Sequence, residues 1–424
     1  MKRKAFSEQG EAFGFIGRER HPMVVNFEFL GMESVENVIT CMHYKVDKVV
    51  YFGYPEMVNT KKERTERFLR KYCGVKEVVF CSLPRGGLQE MLGIMRQTIE
   101  EEKNRGNEMF FDITGGENLI LVAFGMLAGE YDTPMHQFHV RKDRLIELDE
   151  GSERRISRDV QEQKVEFTLD SFIELKGGVV NYSLHKDVKA IRNKEFSEDV
   201  DKIWQVAKRH WDNWNQFSGF LGKNMAEDYS LQVDMPMKEV HKALNAPYSG
   251  LRKLSELNRI VDDFKKVGIL KNVDHEGDRY RFAFKNETVK RCLMDGGSIL
   301  ELYTYKKEKE HSTDCRVGVH LDWDGVVQSH GMDVLNEIDV LTISGNVPTF
   351  ISCKGGKLGS HQTLHALYEL ETVTRRFGGK YAKKVLVTAR PIGRTYKERA
   401  EELGIEVRCE VGREKSEGGN AGKR

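Results

Sequence analysis

From residue 23 to about 150 the chain alternates short apolar runs with amphipathic stretches of helical period. The runs are "MVVNFEFL", "KVVYFG", "EVVFCSL", "NEMFFDI" and "MHQFHV", the last turning through "RKD" into "RLIEL". Strand-length segments that are apolar nearly throughout, separated by helix-length ones, suit a mainly parallel sheet covered on both faces. The pattern predicts a doubly wound α/β unit over residues 1–150. In such a fold the loops leaving the carboxyl ends of the strands share one edge and form the ligand crevice. Four loops qualify: "GMES" (31–34), "YPEM" (54–57), "PRGG" (84–87) and "TGGE" (114–117).

At 424 residues the chain exceeds one ordinary core, so two or three domains are expected. Residues 151–296 read as a connector, polar and mixed up to about 200. Trp204, Trp211 and Trp214 then follow at spacings that share a helical face. Such a stripe can stack on bases, but helical spacing is what core faces show, and core is the expectation. "MPMKEVHKALN", "APYSG" and "LRKLSELNRIVDDFKKVGIL" read as helix, turn, helix, with Leu251, Leu254, Leu257, Val261 and Phe264 inward. "KNVDHEGDRYRFAFKN" reads as a hairpin, and together these segments resemble a winged helix. A DNA-binding element and a spacer are both open, because the second helix mixes Lys265 and Lys266 with Asp262 and Asp263. Residues 297–411 predict a helix from Ser298 to Glu308, three strands, a helix from Gln362 to Arg376, the strand "KKVLVTAR", a further helix and a short last strand. The tail, 412–424, is expected to be disordered.

Lys+Arg (67) and Asp+Glu (66) nearly cancel, so no nucleic-acid partner follows from net charge, and any basic surface must be local. "MKRKAFSEQG" lacks the apolar core of a signal peptide, and the apolar run "LILVAFGMLAG" is too short to span a bilayer. A cytoplasmic protein without a membrane partner is expected. Seven cysteines with no CxxC pair argue against a zinc ribbon and a disulfide scaffold.

"NEIDVLTISGNVPTFISCKGGK" (336–357) predicts two strands joined at Gly345 and Asn346, with acids entering the first and a lysine closing the second. Residues two apart on a strand share a face, so Glu337 pairs in direction with Asp339, and Ser352 with Lys354. Pairing across the turn would let all four converge. Two carboxylates there suit a divalent cation, Mn2+ or Mg2+, which activates water and neutralises phosphorane charge. Lys354 would supply fixed positive charge or orient water. Glu301 adds an acid on the preceding helix, and Cys353 offers only its backbone carbonyl. Cross-strand ion pairing on a solvated face is the rival reading, weakened by the apolar neighbours Val340, Leu341, Phe350 and Ile351. The order helix with Glu, strand, strand with Asp, strand with x-Lys, helix resembles the core of PD-(D/E)xK-like nucleases. Ser352 stands where that motif has its second acid, and Glu337 is read as supplying the missing carboxylate.

"FFDITGGENLILVAFGML" places Thr114, Gly115, Gly116, Glu117 and Asn118 between a buried strand and a helix. Glycines there let a ligand approach the backbone, and free N–H groups at the helix start attract anions. With "FLGMESVEN", carrying Gly31, Met32, Glu33, Ser34 and Asn37, this resembles the CARF domain, the Rossmann-like sensor of CRISPR-associated proteins. That resemblance implies that these loops cradle a cyclic oligoadenylate across a two-fold axis, with Asn118 and Arg85 answering phosphate where Glu117 replaces a commoner lysine or polar residue. A CARF-like domain first and a PD-(D/E)xK-like domain last resemble the CARF nucleases of type III CRISPR antiviral defence. The resemblance implies a homodimeric, metal-dependent endonuclease cutting DNA, RNA or both, with cyclic tetra-adenylate as activator. Its two-fold ring matches a two-fold dimer pocket. The rivals are a CARF-type transcriptional regulator and an enzyme that cleaves the ring nucleotide itself.

Overall fold

The computed structural model describes residues 22–149, 152–155, 163–182, 194–227, 229–247, 250–322 and 335–411. The tail expected to be disordered lies outside them. Seven strands, β1 (Val24–Phe29), β2 (Lys48–Gly53), β3 (Glu77–Ser82), β4 (Glu108–Asp112), β5 (Met135–His139), β6 (Arg144–Asp149) and β7 (Ser152–Arg155), form a sheet ordered β3-β2-β1-β4-β5-β6-β7. The first five run parallel, as their apolar runs require, and β2 is buried along its whole length. β6 and β7 fold back antiparallel. Helices Pro55–Phe68, Leu88–Asn104 and Asn118–Tyr131 make crossovers, and the short helix Ile39–His43 lies between β1 and β2. The strand order reverses between β1 and β4, so the loops after these two strands flank the crevice.

The helices Lys194–Arg209 and Trp211–Phe220 follow β8 (Val179–Val180). Strands β9 (Gln232–Pro236), β10 (Leu270–Asp274) and β11 (Arg279–Phe284) form a small sheet, with helices Met237–Leu244 and Leu254–Lys266 between β9 and β10. The last sheet is ordered β16-β15-β14-β13-β12-β8, with β12 (Asp314–Asp322), β13 (Leu335–Ser344), β14 (Val347–Lys354), β15 (Lys383–Thr388) and β16 (Ile405–Cys409). β12, β13 and β14 run antiparallel; β14, β15 and β16 run parallel. The expected tryptophan stripe is broken at His210 and falls on two helices, yet Trp204, Trp211 and Trp214 are all buried.

Two cores tie the parts together. On one face of the last sheet, Leu341, Ile343, Phe350 and Leu386 pack with Leu367, Leu370 and Phe377 of helix Ser360–Phe377. This core runs on through Phe167 and Phe172 to Phe68 and Leu69 beside the first sheet. On the other face, Val317, Val340, Ile351, Val385 and Val387 pack with Ile299 and Leu300 of helix Ser298–Lys309, and on to Trp214, Phe217 and Phe264. Burying each such side chain stabilises by about 1.5–3 kcal/mol, so apolar burial sets how the parts sit together. The stretch read as a connector is therefore built into its neighbours: β8 extends the last sheet, and helix Lys194–Arg209 lies against helix Ser298–Lys309.

Candidate active site and sensor crevice

The registered pairing of β13 with β14 runs from Ser344 opposite Val347 to Val340 opposite Ile351. One residue further, Asp339 reaches across with its side chain. Its Oδ2 accepts from the Cys353 N–H at 2.5 Å and from the Ser352 hydroxyl at 3.2 Å, and lies 4.0 Å from Lys354 Nζ. Burial holds the Asp339 carboxyl above its ordinary range, and the charge of Glu337 adds to the push. Lys354 and the two hydrogen bonds pull the other way. The Lys354 C=O accepts from the Ala389 N–H on the β15 side, so Cys353, one residue earlier, turns its own N–H and C=O toward β13. The Cys353 thiol points the other way, into the core beside Thr304 and Glu301, and burial raises its pKa well above the ordinary value.

Strict alternation, which put Glu337 and Asp339 on one face, fails here. Val317 and Val340 pack in one core, while Val319, Leu321 and Ile338 pack in the other. The strand pair exchanges faces at Gly318, whose φ of +59° lies between the registered pairs Val317–Val340 and Val319–Ile338 and so opposite Asp339. Glu337 stands 3.9 Å from His320 Nε2. Among the described residues no three His, Cys, Asp or Glu side chains stand together as a ready metal-ligand group. Asp339, Ser352 and Lys354 thus converge as expected; Glu301 and Glu337 lie around them without closing a ligand set.

Sequence reading missed Trp211. Its indole N–H donates to the Gly355 C=O at 3.0 Å, bracing the backbone just after Lys354, and the neighbouring Asp212 pairs with Arg390. Nothing in the local pattern separated this tryptophan from the rest of the core.

At the crevice edge of the first sheet the loops do meet. Gly31 N–H donates to Asn37 Oδ1 at 3.0 Å, and Asn37 returns a bond to the Gly31 C=O. Lys61, which sequence reading overlooked, donates to the carbonyls of Gly31 and Met32, and burial lowers its pKa to about 8. Thr114 N–H donates to Asp112, and its hydroxyl accepts from the Phe138 N–H at 2.7 Å. Gly116 has φ +143°, and a Cβ there would lie 2.9 Å from Leu121, so this position demands glycine. Glu117 accepts from the Tyr54 hydroxyl at 3.1 Å, and Arg85 lies over the Tyr54 ring while pairing with Glu56. Met32 and Asn118 are exposed; Ser34 and Asn37 are buried.

Glu33, read as a ligand contact, is engaged elsewhere. It pairs with buried Lys176 and accepts from the Lys380 N–H at 2.9 Å. Although burial opposes it, Lys176 holds the Glu33 carboxyl below its ordinary range. Glu36 stands beside it: a Cβ on Gly115 would lie 2.7 Å from Glu36 Oε2, while Oε1 accepts from the Tyr381 hydroxyl at 2.6 Å and pairs with Lys380. The first loop therefore touches the second sensor loop on one side and the turn before β15 on the other. A further contact joins the β13–β14 turn to the sensor, where the Asn346 amide donates to Asp143 at 2.6 Å, next to His43.

Residues 287–417, which include Glu301, Glu337, Asp339, Ser352, Cys353 and Lys354, match the family model of the Card1-like endonuclease domain. No curated protein sequence matches the chain. Among solved structures, protein VC1899 from Vibrio cholerae superposes with a TM-score of 0.68 at 19% identity, over 91% of this chain and 94% of that one. Can2 from Sulfobacillus thermosulfidooxidans, solved in complex with cyclic tetra-adenylate, superposes with a TM-score of 0.62 at 15% identity, over 90% and 92%. At these identities the likeness establishes a shared fold along almost the whole length. The last third of this chain is thus similar to a Card1-like endonuclease domain.

Proposed function

We propose that the chain is a homodimeric endonuclease of CRISPR-type defence, switched by a cyclic oligoadenylate, cyclic tetra-adenylate foremost, and cutting DNA, RNA or both with a divalent cation. The observation that carries this reading is the group of Asp339, Ser352 and Lys354, gathered where β13 and β14 part inside a Card1-like endonuclease domain. A plain ion pair would not need a carboxylate taken out of water and tied to a strand N–H.

The donors fit a hard cation. All three Asp339 contacts fall on Oδ2, which leaves Oδ1 to a ligand, and the Cys353 C=O faces the same gap. Carboxylate and carbonyl oxygens of this kind suit Mg2+ or Mn2+. Asp339 and the Cys353 carbonyl would hold the ion, with Glu337 or Glu301 completing the set. When bound, such an ion lowers the pKa of water and neutralises charge on the phosphorane. The Cys353 N–H and Ser352 hydroxyl orient the Asp339 carboxylate, and Lys354 sets a positive charge beside it for the scissile phosphate.

The sensor edge suits a polyanionic ring. Gly115 and Gly116 let the loop pack closely on Glu36 and Leu121, and helix Asn118–Tyr131 starts there with Asn118 exposed. From this start, Leu119 (41% exposed), Val122 (52%) and Met126 (44%) form an exposed apolar stripe on one side of the helix, which favours a second copy of the chain across the ring.

The test is direct. Purified protein is incubated with plasmid, single-stranded DNA and RNA, with and without each cyclic oligoadenylate and with Mg2+ or Mn2+. Equal cutting with and without every ring refutes the sensor assignment. Cutting that survives Asp339→Asn refutes the site.

A further inference from the structure

The helix–turn–helix segment of the middle region is not used by the proposed reaction, yet its surface charge is uneven. On helix Met237–Leu244, Lys238 and Lys242 are exposed one turn apart, opposite buried Val240 and Leu244. On the second helix, Arg259 is exposed opposite buried Leu257, Ile260, Val261 and Phe264, and Arg252 is exposed just before the helix begins. Lys238, Lys242, Arg252 and Arg259 have no ion-pair partner among the described residues. The acids nearby are already answered: Glu256 lies 3.8 Å from Lys253, and Glu239 is within electrostatic reach of Arg279.

The hairpin behaves differently. Asp234 lies between Arg279 and Arg281, at 2.5 Å and 3.1 Å, and Asp274 also meets Arg281. Arg279 and Arg281 of the hairpin are neutralised within the protein, whereas Lys238, Lys242, Arg252 and Arg259 are left for an outside anion. A near-neutral chain with 67 basic and 66 acidic residues thus carries unpaired, exposed positive charge on the two helices of a helix–turn–helix element, the kind of element that approaches nucleic acid.

We propose that this face docks duplex DNA and presents it to the cutting site. An α-helix presenting an exposed basic side fits the wide major groove of B-form DNA, while the deep, narrow major groove of duplex RNA excludes it. The module is also rigidly placed. Phe264 of the second helix packs with Trp214 and Phe217, in the core that continues to Val340 and Ile351 beside Asp339. A duplex held on Arg252 and Arg259 therefore sits at a set distance from Lys354, which accounts for a middle region built into the nuclease sheet. The docking half of the inference stands alone, and the presenting half rests on the proposed nuclease function.

The experiment uses the full-length chain carrying Asp339→Asn, so that binding is read without cleavage. Fluorescence anisotropy measures affinity for a 20-base-pair DNA duplex of mixed sequence between about 50 and 300 mM salt. Arg252→Gln with Arg259→Gln should lower the slope of log K against log salt by about 2, since each lost phosphate contact removes about one released counterion. Lys238→Gln with Lys242→Gln should do the same independently, and Arg279→Gln should leave the slope unchanged. All these side chains are exposed, and thermal melts check that each variant stays folded. Unchanged slopes in both double variants overturn the proposal. An equal loss of binding to duplex RNA overturns the groove argument, and an effect confined to Arg279→Gln would place the contact on the hairpin instead. Binding through this face by a protein that never cuts would leave the docking inference intact while the nuclease reading fails.

Discussion

The hydrogen bond from Tyr381 to Glu36 joins the turn before β15 to the sensor loop, and its removal has a calculable effect. The hydroxyl lies 2.6 Å from a buried carboxylate, and burial together with the Glu36 charge raises the Tyr381 pKa, so the group stays a donor. A hydrogen bond to a charged acceptor contributes about 1.5–3 kcal/mol. Glu36 keeps Lys380 as a second partner, which puts Tyr381→Phe at the low end, about 1.5 kcal/mol, or roughly tenfold in a local opening equilibrium. Hydrogen–deuterium exchange reads that equilibrium directly. Peptides covering 378–381 and 31–37 should exchange about tenfold faster in Tyr381→Phe, and those in helix Leu88–Asn104 should not change. Glu36→Gln should give a similar acceleration, and the double variant little more, as expected of two halves of one interaction. Unchanged exchange in both segments, or a uniform rise across the chain, refutes the reasoning.

Asp339→Asn should lower cleavage at least 100-fold and Glu337→Gln should also impair it, while Ser352→Ala should cost less than about tenfold because the Cys353 N–H still holds the carboxylate. A dead Ser352→Ala beside an active Asp339→Asn, in the same plasmid assay, would reverse the roles assigned here. Lys354→Ala should reduce kcat more than metal affinity, as steady-state kinetics across a Mn2+ series will show. Gly116→Val meets both a φ of +143° and the Leu121 side chain, a local strain of about 1–3 kcal/mol; it should abolish ring-stimulated cutting with the melting temperature nearly kept. Calorimetry should give one ring per two chains, and Val122→Lys should shift sedimentation toward monomer.

The parallel sheet was legible because its strands are apolar on both faces and cannot be mistaken for half-exposed ones. The "NEIDV" and "FISCK" strands were legible too, and Asp339, Ser352 and Lys354 do meet. What alternation could not show was the exchange of faces at Gly318, since one residue of positive φ on β12 redirects side chains on β13. The engagement of Glu33 was illegible for a related reason. Its partners Lys176 and Lys380 lie 143 and 347 residues away, and no local pattern encodes contacts of that range. Cys353 was read as offering only its backbone carbonyl. Its buried thiol packs in the core behind the site, so Cys353→Ala leaves a small cavity and a modest loss of stability.

The hairpin of β13 and β14 is seated at its turn against the sensor and carries the reacting side chains at its open end. From Asn346 to Lys354 is eight residues, about 26 Å at strand rise. It is thus a lever whose short arm is the Asn346 amide between Asp143 and His43. A tilt of about 5° at that docked turn moves the far end by about 2 Å, and a misplacement of even 1 Å can cost a hundredfold in rate. If the proposed sensor switches the proposed site, a connection of this kind needs no large rearrangement. Because Val340, Leu341, Phe350 and Ile351 of the hairpin pack in both apolar cores, any such displacement would be carried through the sheet as a whole.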